Sequence, residues 1–575
     1  MQITSTALNE AFKRIAEFEP YDRDSDGRGS WLVGEMSAPY LFFFHHYQKL
    51  HDLMQQKSSY RPILDPLIQF LDQSYAEEYR SANELFQRGL VTAYHSAKLY
   101  KPSELLVVRD KYTQTLRARV LGRVPDAVPF ENKSIWKLEC WSWSYNGREA
   151  RRDSWAEYTD AFPTEEVPIN GLQVYPLKYA KPKDIEKLRE TGRRFWSMRH
   201  QGLRCYTGWD EKRDRHYSID RFMVDVATFN IMYSSRSRAD KVDDTYDKWP
   251  QRIEASKEMP PDCELLLPNV IEAFHLDSKK WSKSLAIYDT NSIYKVLNVD
   301  GFLPQVDWNK NAFRQLVLDE KIKEMIHALV DVQTSRDKAM DDIIKGKGNG
   351  LIILLHGSPG TGKTLTAESV AEIAEKPLYR VTCGDIGINA QEVEKYLQTV
   401  MYLGKIWDCV LLLDEADVFL EERTMADLER NSLVSVFLRI LEYHEGILIL
   451  TSNRVGTFDE AFKSRIQVAI HYDNLTKKSR KAIWRNFFDM LEESGEDANM
   501  PELERRLNEL AEEEMNGRQI RNALLTARQL AQHRHERLDW EHLNQVMKTS
   551  AAFNKYLKTV KGHTDDIWAR EERIR

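Results

Sequence analysis

The sequence predicts an α/β fold for the second half of the chain: a parallel sheet with helices on both faces, preceded by an α+β region. Three observations carry this. Residues 351–357 (LIILLHG) and 410–414 (VLLLD) are apolar without polar alternation, as expected of strands covered on both faces. A glycine-rich turn follows the first of them and opens TLTAESVAEIAE, which has helical periodicity. A third strand of the same texture, residues 446–453 (GILILTSN), ends in polar residues.

The chain has 575 residues, and a single core seldom grows that large, so roughly three or four domains are expected. Lys and Arg total 82 against 89 Asp and Glu, a net charge of −7, which gives no bulk attraction to nucleic acid or anionic lipid. The five cysteines are scattered, with no C-x-x-C pair, and read as reduced thiols of an intracellular protein, cytoplasmic or nuclear. The N-terminal residues lack the apolar run of a secretory signal and are too acidic for a typical transit peptide. No apolar run is long enough for a transmembrane helix.

Residues 1–100 read as mostly helical, with Ser81 and Glu84 as a capping box opening one helix. Residues 101–300 read as a β-rich α+β domain. ELLVVRD, TLRARVLGRV, IWKLECWSWSYN and LQVYPLKY are short, β-branched or aromatic, and bounded by turn residues. KPKDIEKLRETGRRFWSMR reads as a helix, and GLRCYTGW and RHYSIDRFMVDVATFNI as strands. Residues 234–261 read as a charged loop, 264–288 as two short strands, and 345–350 as a glycine-rich turn. WNKNAFRQLVLDEKIKEMIHALVDVQTSRDK starts a helix leading into the parallel sheet. The tail after Lys561 is charged and expected to fray.

Gly357-Ser358-Pro359-Gly360-Thr361-Gly362-Lys363-Thr364 fits the phosphate-binding pattern G-x-x-x-x-G-K-[ST] in full. Backbone N–H groups wrap a phosphate chain only where side chains are absent, hence the glycines, and the helix N-terminus adds partial positive charge. The pattern predicts a P-loop fold that takes ATP. Lys363 is expected to reach the β- and γ-phosphates and Thr364 to ligate Mg²⁺. Asp414 and Glu415 end a buried strand, where carboxylates need a reason. Asp414 is read as a second Mg²⁺ residue, and Glu415 as the group that orients or deprotonates the attacking water. Asn453 ends the third strand and is placed to touch the γ-phosphate and that water.

The order GSPGTGKT, LLLDEAD, LILTSNR, FDEAFKSR resembles the AAA+ ATPases over roughly residues 310–560. WNKNAFRQLVLDEKIKEMIHALV, ERNSLVSVFLRILEYHEGILILTSNRV and NGRQIRNAL are similar to a fungal group with a long N-terminal region of unknown function. More distantly the chain is similar to the mitochondrial AAA ATPases of the ATAD3 and Bcs1 kinds, which leaves a mitochondrial association open. The resemblance implies a large α/β subdomain over 301–472, a small all-α lid over 473–560 and a charged tail over 561–575. It implies Asn453 as the γ-phosphate sensor and Arg465 as an arginine finger reaching a neighbour's site, hence a homo-oligomer, a hexameric ring in the family. It implies Arg518 as the lid's sensor arginine, with Arg521 one turn on as the competing candidate.

Two departures from the family pattern matter. The interface segment, often R-P-G-R, reads Lys463-Ser464-Arg465, leaving one finger. The loop after the second strand, 381–388, offers Ile386 where unfolding members carry an aromatic residue, which puts threading of a substrate in doubt. Six tryptophans between 136 and 209 read as core, although their arginine neighbours also suit a stacking platform for single-stranded nucleic acid. No Cys/His cluster suggests zinc, and His356 reads as a packed neighbour of the nucleotide. The reading is an ATP-hydrolysing oligomer that remodels a protein partner. The alternatives are a nucleotide-gated binding module with slow hydrolysis and, less favoured by the charge, a nucleic-acid-linked ATPase.

Overall fold

A computed structural model of the chain describes residues 5–18, 36–56, 60–110, 115–130, 133–209, 216–233, 248–282, 297–303, 306–335, 350–386, 390–417, 428–454 and 460–561. The chain divides into two compact units, Met1–Gln305 and Val306–Arg575.

The N-terminal unit begins with helices Thr6–Ile15, Leu41–Gln56, Arg61–Ser74 and Ala76–Gln87. Phe12, Phe42, Phe43, Leu64 and Leu71 bury their rings and chains between them. Ser81 does not open a helix: the turn starts at Ala76, where Glu77 and Glu78 face the positive helix end. A seven-stranded antiparallel sheet follows, its spatial order Arg252–Glu254, Glu149–Tyr158, Lys133–Tyr145, Leu116–Leu121, Leu105–Arg109, Val174–Pro176, with Asp126–Phe130 also paired to Lys133–Tyr145. A five-stranded sheet is built around the hairpin of Gly202–Trp209 and His216–Val224. Residues 226–231, expected as strand, fall instead in helix Val226–Tyr233. The Asp225 carboxylate accepts the Thr228 N–H at 2.9 Å and caps that turn, overriding a β-branched, aromatic texture. Within 264–282 three very short strands and a 3₁₀ turn stand where two strands were expected.

Trp141, Trp143 and Trp196 are core, whereas Trp209 is exposed. Arg119 lies over Trp155, Arg152 over Trp141 and Arg199 over Trp196, so these stacking faces are used within the fold. Cys140, Cys205, Cys263 and Cys409 are buried. The turn at 345–349 and the tail after Lys561 lie outside the described residues.

The C-terminal unit is entered through two helices, Asn311–Arg314 and Glu320–Thr334, rather than one. Asp319 accepts the Lys321 N–H at 2.9 Å and starts the second afresh. Five parallel strands follow: β1 Leu351–Gly357, β2 Leu378–Thr382, β3 Val410–Asp414, β4 Ile447–Ser452 and β5 Val468–Tyr472, side by side in the order β2-β3-β4-β1-β5. Every residue of β3 and β4 is buried, as their unbroken apolar texture requires. Burying one such side chain stabilises the sheet by about 1.5–3 kcal/mol. Helices Lys363–Ala374, Ala390–Ile406 and Leu428–Glu442 connect the strands. A separate all-α subdomain runs from Lys477–Glu493 to Trp540–Lys561 around Trp484, Phe488, Ile520 and Leu543.

Candidate functional site

The strand order puts β1 between β4 and β5, so the carboxyl ends of β1, β3 and β4 converge. Ligands bind at such a point in open α/β sheets. The turn after β1 is shaped by positive φ at Gly357 (132°), Gly360 (75°) and Gly362 (107°). A Cβ at Gly357 would stand 2.2 Å from the Tyr472 carbonyl oxygen of β5, so only glycine lets the two strands meet there.

Lys363 is buried, and its Nζ donates to the carbonyls of Gly357 (2.9 Å) and Ser358 (2.8 Å) inside its own loop. Thr361 Oγ1 closes the same turn by donating to Ser358 O at 2.7 Å. Thr366 Oγ1 donates to Gly362 O (3.0 Å) and accepts the Tyr472 hydroxyl (2.7 Å), tying the helix start to β5. Burial pushes the Tyr472 phenol up to about 12, so it remains a donor.

Asp414 is 7% exposed and collects three donors. Its Oδ1 accepts the hydroxyls of Thr364 (3.1 Å) and Thr451 (2.6 Å), and its Oδ2 accepts the Arg380 guanidinium (2.6 Å). A hydroxyl and a carboxylate side by side are the hard oxygen donors that Mg²⁺ prefers, the rest of its shell coming from phosphate and water. The residues therefore fit that ion. Glu415 is exposed, with φ 58°, and its N–H donates to Thr451 Oγ1 at 2.9 Å. A left-handed non-glycine residue costs about 1–2 kcal/mol. Here that backbone turns the chain at the end of β3, directly after Asp414. The Asn453 N–H donates to Asp417 Oδ1 at 3.1 Å, and Ser452 Oγ donates to the same oxygen, fixing the end of β4 next to the acids.

The small helical subdomain reaches this loop. Gly517 N–H, the first of helix Gly517–Arg534, donates to Gly360 O at 2.9 Å, and its Asn516 cap packs against Gly360. Arg518 is the next residue of that helix, and Arg521 lies one turn beyond. Both are exposed. Arg465 turns to its own segment: its guanidinium donates to Ala461 O (2.8 Å) and pairs with Glu442 (3.3 Å). His356 stands 3.2 Å, Nδ1 to Nδ1, from His471 of β5. Burial, then His471 and Lys363, lower its pKa.

Thr451 and Arg380 were not singled out in the sequence. Thr451 is the first of two polar residues that end ILILTS, and Arg380 the charge in LYRVT. Each is readable as a departure from an apolar strand, but only the register shows what it faces.

Residues 353–474 match the model of the ATPase family associated with various cellular activities (AAA), and residues 475–564 that of the fungal AAA+ ATPase lid domain. Most of the C-terminal unit is thus an AAA ATPase module. Residues 81–181 match a domain of unknown function, DUF7025. Among similar proteins, the human ATPase family AAA domain-containing protein 3B is 32% identical over 168 residues, 27% of this chain and 25% of that protein. ATPase family AAA domain-containing protein 3 of Xenopus tropicalis is 28% identical over 194 residues, 31% of this chain and 30% of that one. The Drosophila melanogaster homolog of protein 3A is 27% identical over 191 residues. The chain thus spans about a quarter to a third of the length of these relatives. By class the AAA module binds and hydrolyses ATP. Among the described residues, no helix is long and apolar enough to cross a membrane.

Proposed function

We propose that this chain is an oligomeric ATPase that remodels a protein partner, with one site at the carboxyl ends of β1, β3 and β4. The observation that carries the reading is that Thr364, beside Lys363 in a loop that the lid helix also touches, bonds to Asp414 at the end of β3, where Glu415 follows. The backbone of Gly357, Ser358, Pro359, Gly360, Thr361 and Gly362 cradles the phosphates. Lys363 exchanges two neutral carbonyls for phosphate oxygens, a stronger, charge-assisted bond. Thr364 and Asp414 hold Mg²⁺, which supplies charge neutralisation on the phosphates. Water attacks the γ-phosphorus, the bond to the β–γ bridging oxygen breaks, ADP leaves, and Glu415 takes the proton of the water. Asn453 orients that water, and Arg518, beside the loop, senses the phosphate from the lid. Arg518 is preferred to Arg521 because the neighbouring Gly517 already bonds to Gly360.

The test is Glu415→Gln. Mg²⁺-dependent turnover should fall to background while ATP binding survives. Wild-type turnover no higher than the variant's would sink the reading.

A second reading, a nucleotide-gated binding module with slow hydrolysis, is favoured by the Arg465–Glu442 pair. A finger for a neighbour's site must first leave that carboxylate. Particle mass with and without a non-hydrolysable ATP analogue separates the two together with turnover. A ring with fast turnover supports the first, and a ring that scarcely turns over ATP supports the second.

A further inference from the structure

The acid read as the Mg²⁺ residue already carries a cation. Arg380 sits on β2, the strand beside β3, with Thr382 registered against Asp414 two residues further on. Its guanidinium donates to Asp414 Oδ2 at 2.6 Å, while Oδ1 is taken by Thr364 and Thr451. The carboxylate is thus claimed on both oxygens by three donors, with which an incoming cation must share it. Arg380 has a second carboxylate in reach. Its Nη1 lies 3.8 Å from Glu368 Oε1, one helical turn after Thr364 on the P-loop helix. The arginine side chain is 47% exposed and the Asp414 side chain 8%, so the arginine end of the pair is the one free to swing.

We propose that Arg380 is a cation gate of the ATP site: without a divalent ion it neutralises Asp414, and when Mg²⁺ arrives it moves to Glu368. The inference rests on the reading of Asp414 as the Mg²⁺ residue. A guanidinium and Mg²⁺ on one carboxylate repel each other, so each occupies the site at the other's expense. Arg380 therefore raises the Mg²⁺ concentration needed to complete the site and helps the ion leave after turnover. It touches no reacting atom, and it acts through Asp414 as a positioning residue.

The readout is equilibrium binding of a fluorescent ATP analogue to the full chain, titrated with Mg²⁺ from EDTA-stripped buffer. Arg380→Gln should lower the half-saturating Mg²⁺ concentration roughly 2- to 5-fold, the range of a partly exposed ion pair. Arg380→Lys keeps the charge and should stay near wild type. Glu368→Gln removes the alternative dock and should raise the half-saturating concentration. An unchanged or raised value for Arg380→Gln, with Asp414→Asn still shifting the Mg²⁺ dependence, overturns the gate alone. If Asp414→Asn leaves the Mg²⁺ dependence untouched, the reading of Asp414 falls as well.

Discussion

Thr451 is the residue whose replacement tests the site most sharply. It is 2% exposed and serves both acids at once. Its hydroxyl donates to Asp414 Oδ1 at 2.6 Å and accepts the Glu415 N–H at 2.9 Å, while its carbonyl accepts the Ala416 N–H at 2.9 Å. Thr451→Val replaces the hydroxyl by a methyl of nearly the same shape. A hydrogen bond to a charged group is worth about 1.5–3 kcal/mol, and a neutral one about 1 kcal/mol. Water reaches Glu415, so part of the second loss is recovered, and the expected loss is about 3 kcal/mol. For a unit of this size each kcal/mol moves the midpoint by roughly 2–4 °C, so Tm should fall by roughly 6–12 °C. Turnover should fall further than stability implies, because both acids lose their alignment. A displacement near 1 Å costs on the order of 100-fold. Thr451→Ser keeps the hydroxyl and should hold kcat within about 3-fold, since only a methyl is lost. The assays are steady-state ATP turnover and thermal unfolding of the three proteins. Wild-type kcat and Tm in Thr451→Val would refute the claim that this hydroxyl organises the acids.

Gly360→Ala should uncouple the lid from the loop: φ is 75° and the new Cβ would come within 2.6 Å of the Asn516 side chain, so the ATP-analogue Kd should rise about 10-fold or more. An unchanged Kd would mean the contact is incidental. Stability should fall with acidity below about pH 6.5. Burial holds His46 and His444 near 4 and His45 near 3, so the unfolded chain binds protons there that the folded chain refuses. Each buried histidine contributes at most about 1.4 kcal/mol per pH unit, present above 6.5 and lost towards 4, and a flat or rising Tm between pH 6.5 and 4.5 would contradict this.

The parts of the fold that were legible are those whose cause is local. β1, β3 and β4 are read directly because a strand buried on both faces needs an apolar run, and the P-loop because its glycines and Lys363 lie within eight consecutive residues. β5 was not read as a strand and β2 entered only through the family resemblance, since LYRVT and VAIHY alternate as edge strands do and carry charge or histidine outward. The antiparallel sheet of the first unit was legible as strands but not as an order. Arg252–Glu254 pairs with residues 149–151, a hundred positions away, and no local pattern records such a pairing. Ser81 misled because a capping box and a mid-helix Ser/Glu pair are identical on paper, whereas Asp225 was missed because one cap outweighed the strand-like texture of residues 226–231. In the site, Asp414 and Glu415 were legible as acids ending an apolar run. Thr451 was not, because its role depends on the lateral pairing of β3 with β4.

The same distinction bears on how the site and the lid communicate. The partnered carbonyls of the loop face two helices: Gly357 O, Ser358 O and Gly362 O accept from Lys363 and Thr366 of the helix that follows, the latter tied on to Tyr472 of β5, Ser358 O also accepts from Thr361 within the turn, and Gly360 O accepts from Gly517 of the lid helix. The loop is thus held by its oxygens, and on the proposed reading its N–H groups are the ones that meet the phosphates. On the proposed reading Lys363 is the one partner that must let go when ATP arrives, because its two carbonyls are neutral and a phosphate oxygen is not. The Gly517–Gly360 bond need not break, and its neighbour Asn516 is fixed by a reciprocal cap with Gln519. A rearrangement of the loop around phosphate therefore pulls on a rigid helix end rather than on a slack linker. That helix belongs to the packed core of the lid through Ile520, Ala523 and Leu524. On the proposed reading the loop that takes the nucleotide is in this way continuous with the lid subdomain, and the coupling lies in backbone hydrogen bonds that no side-chain motif encodes.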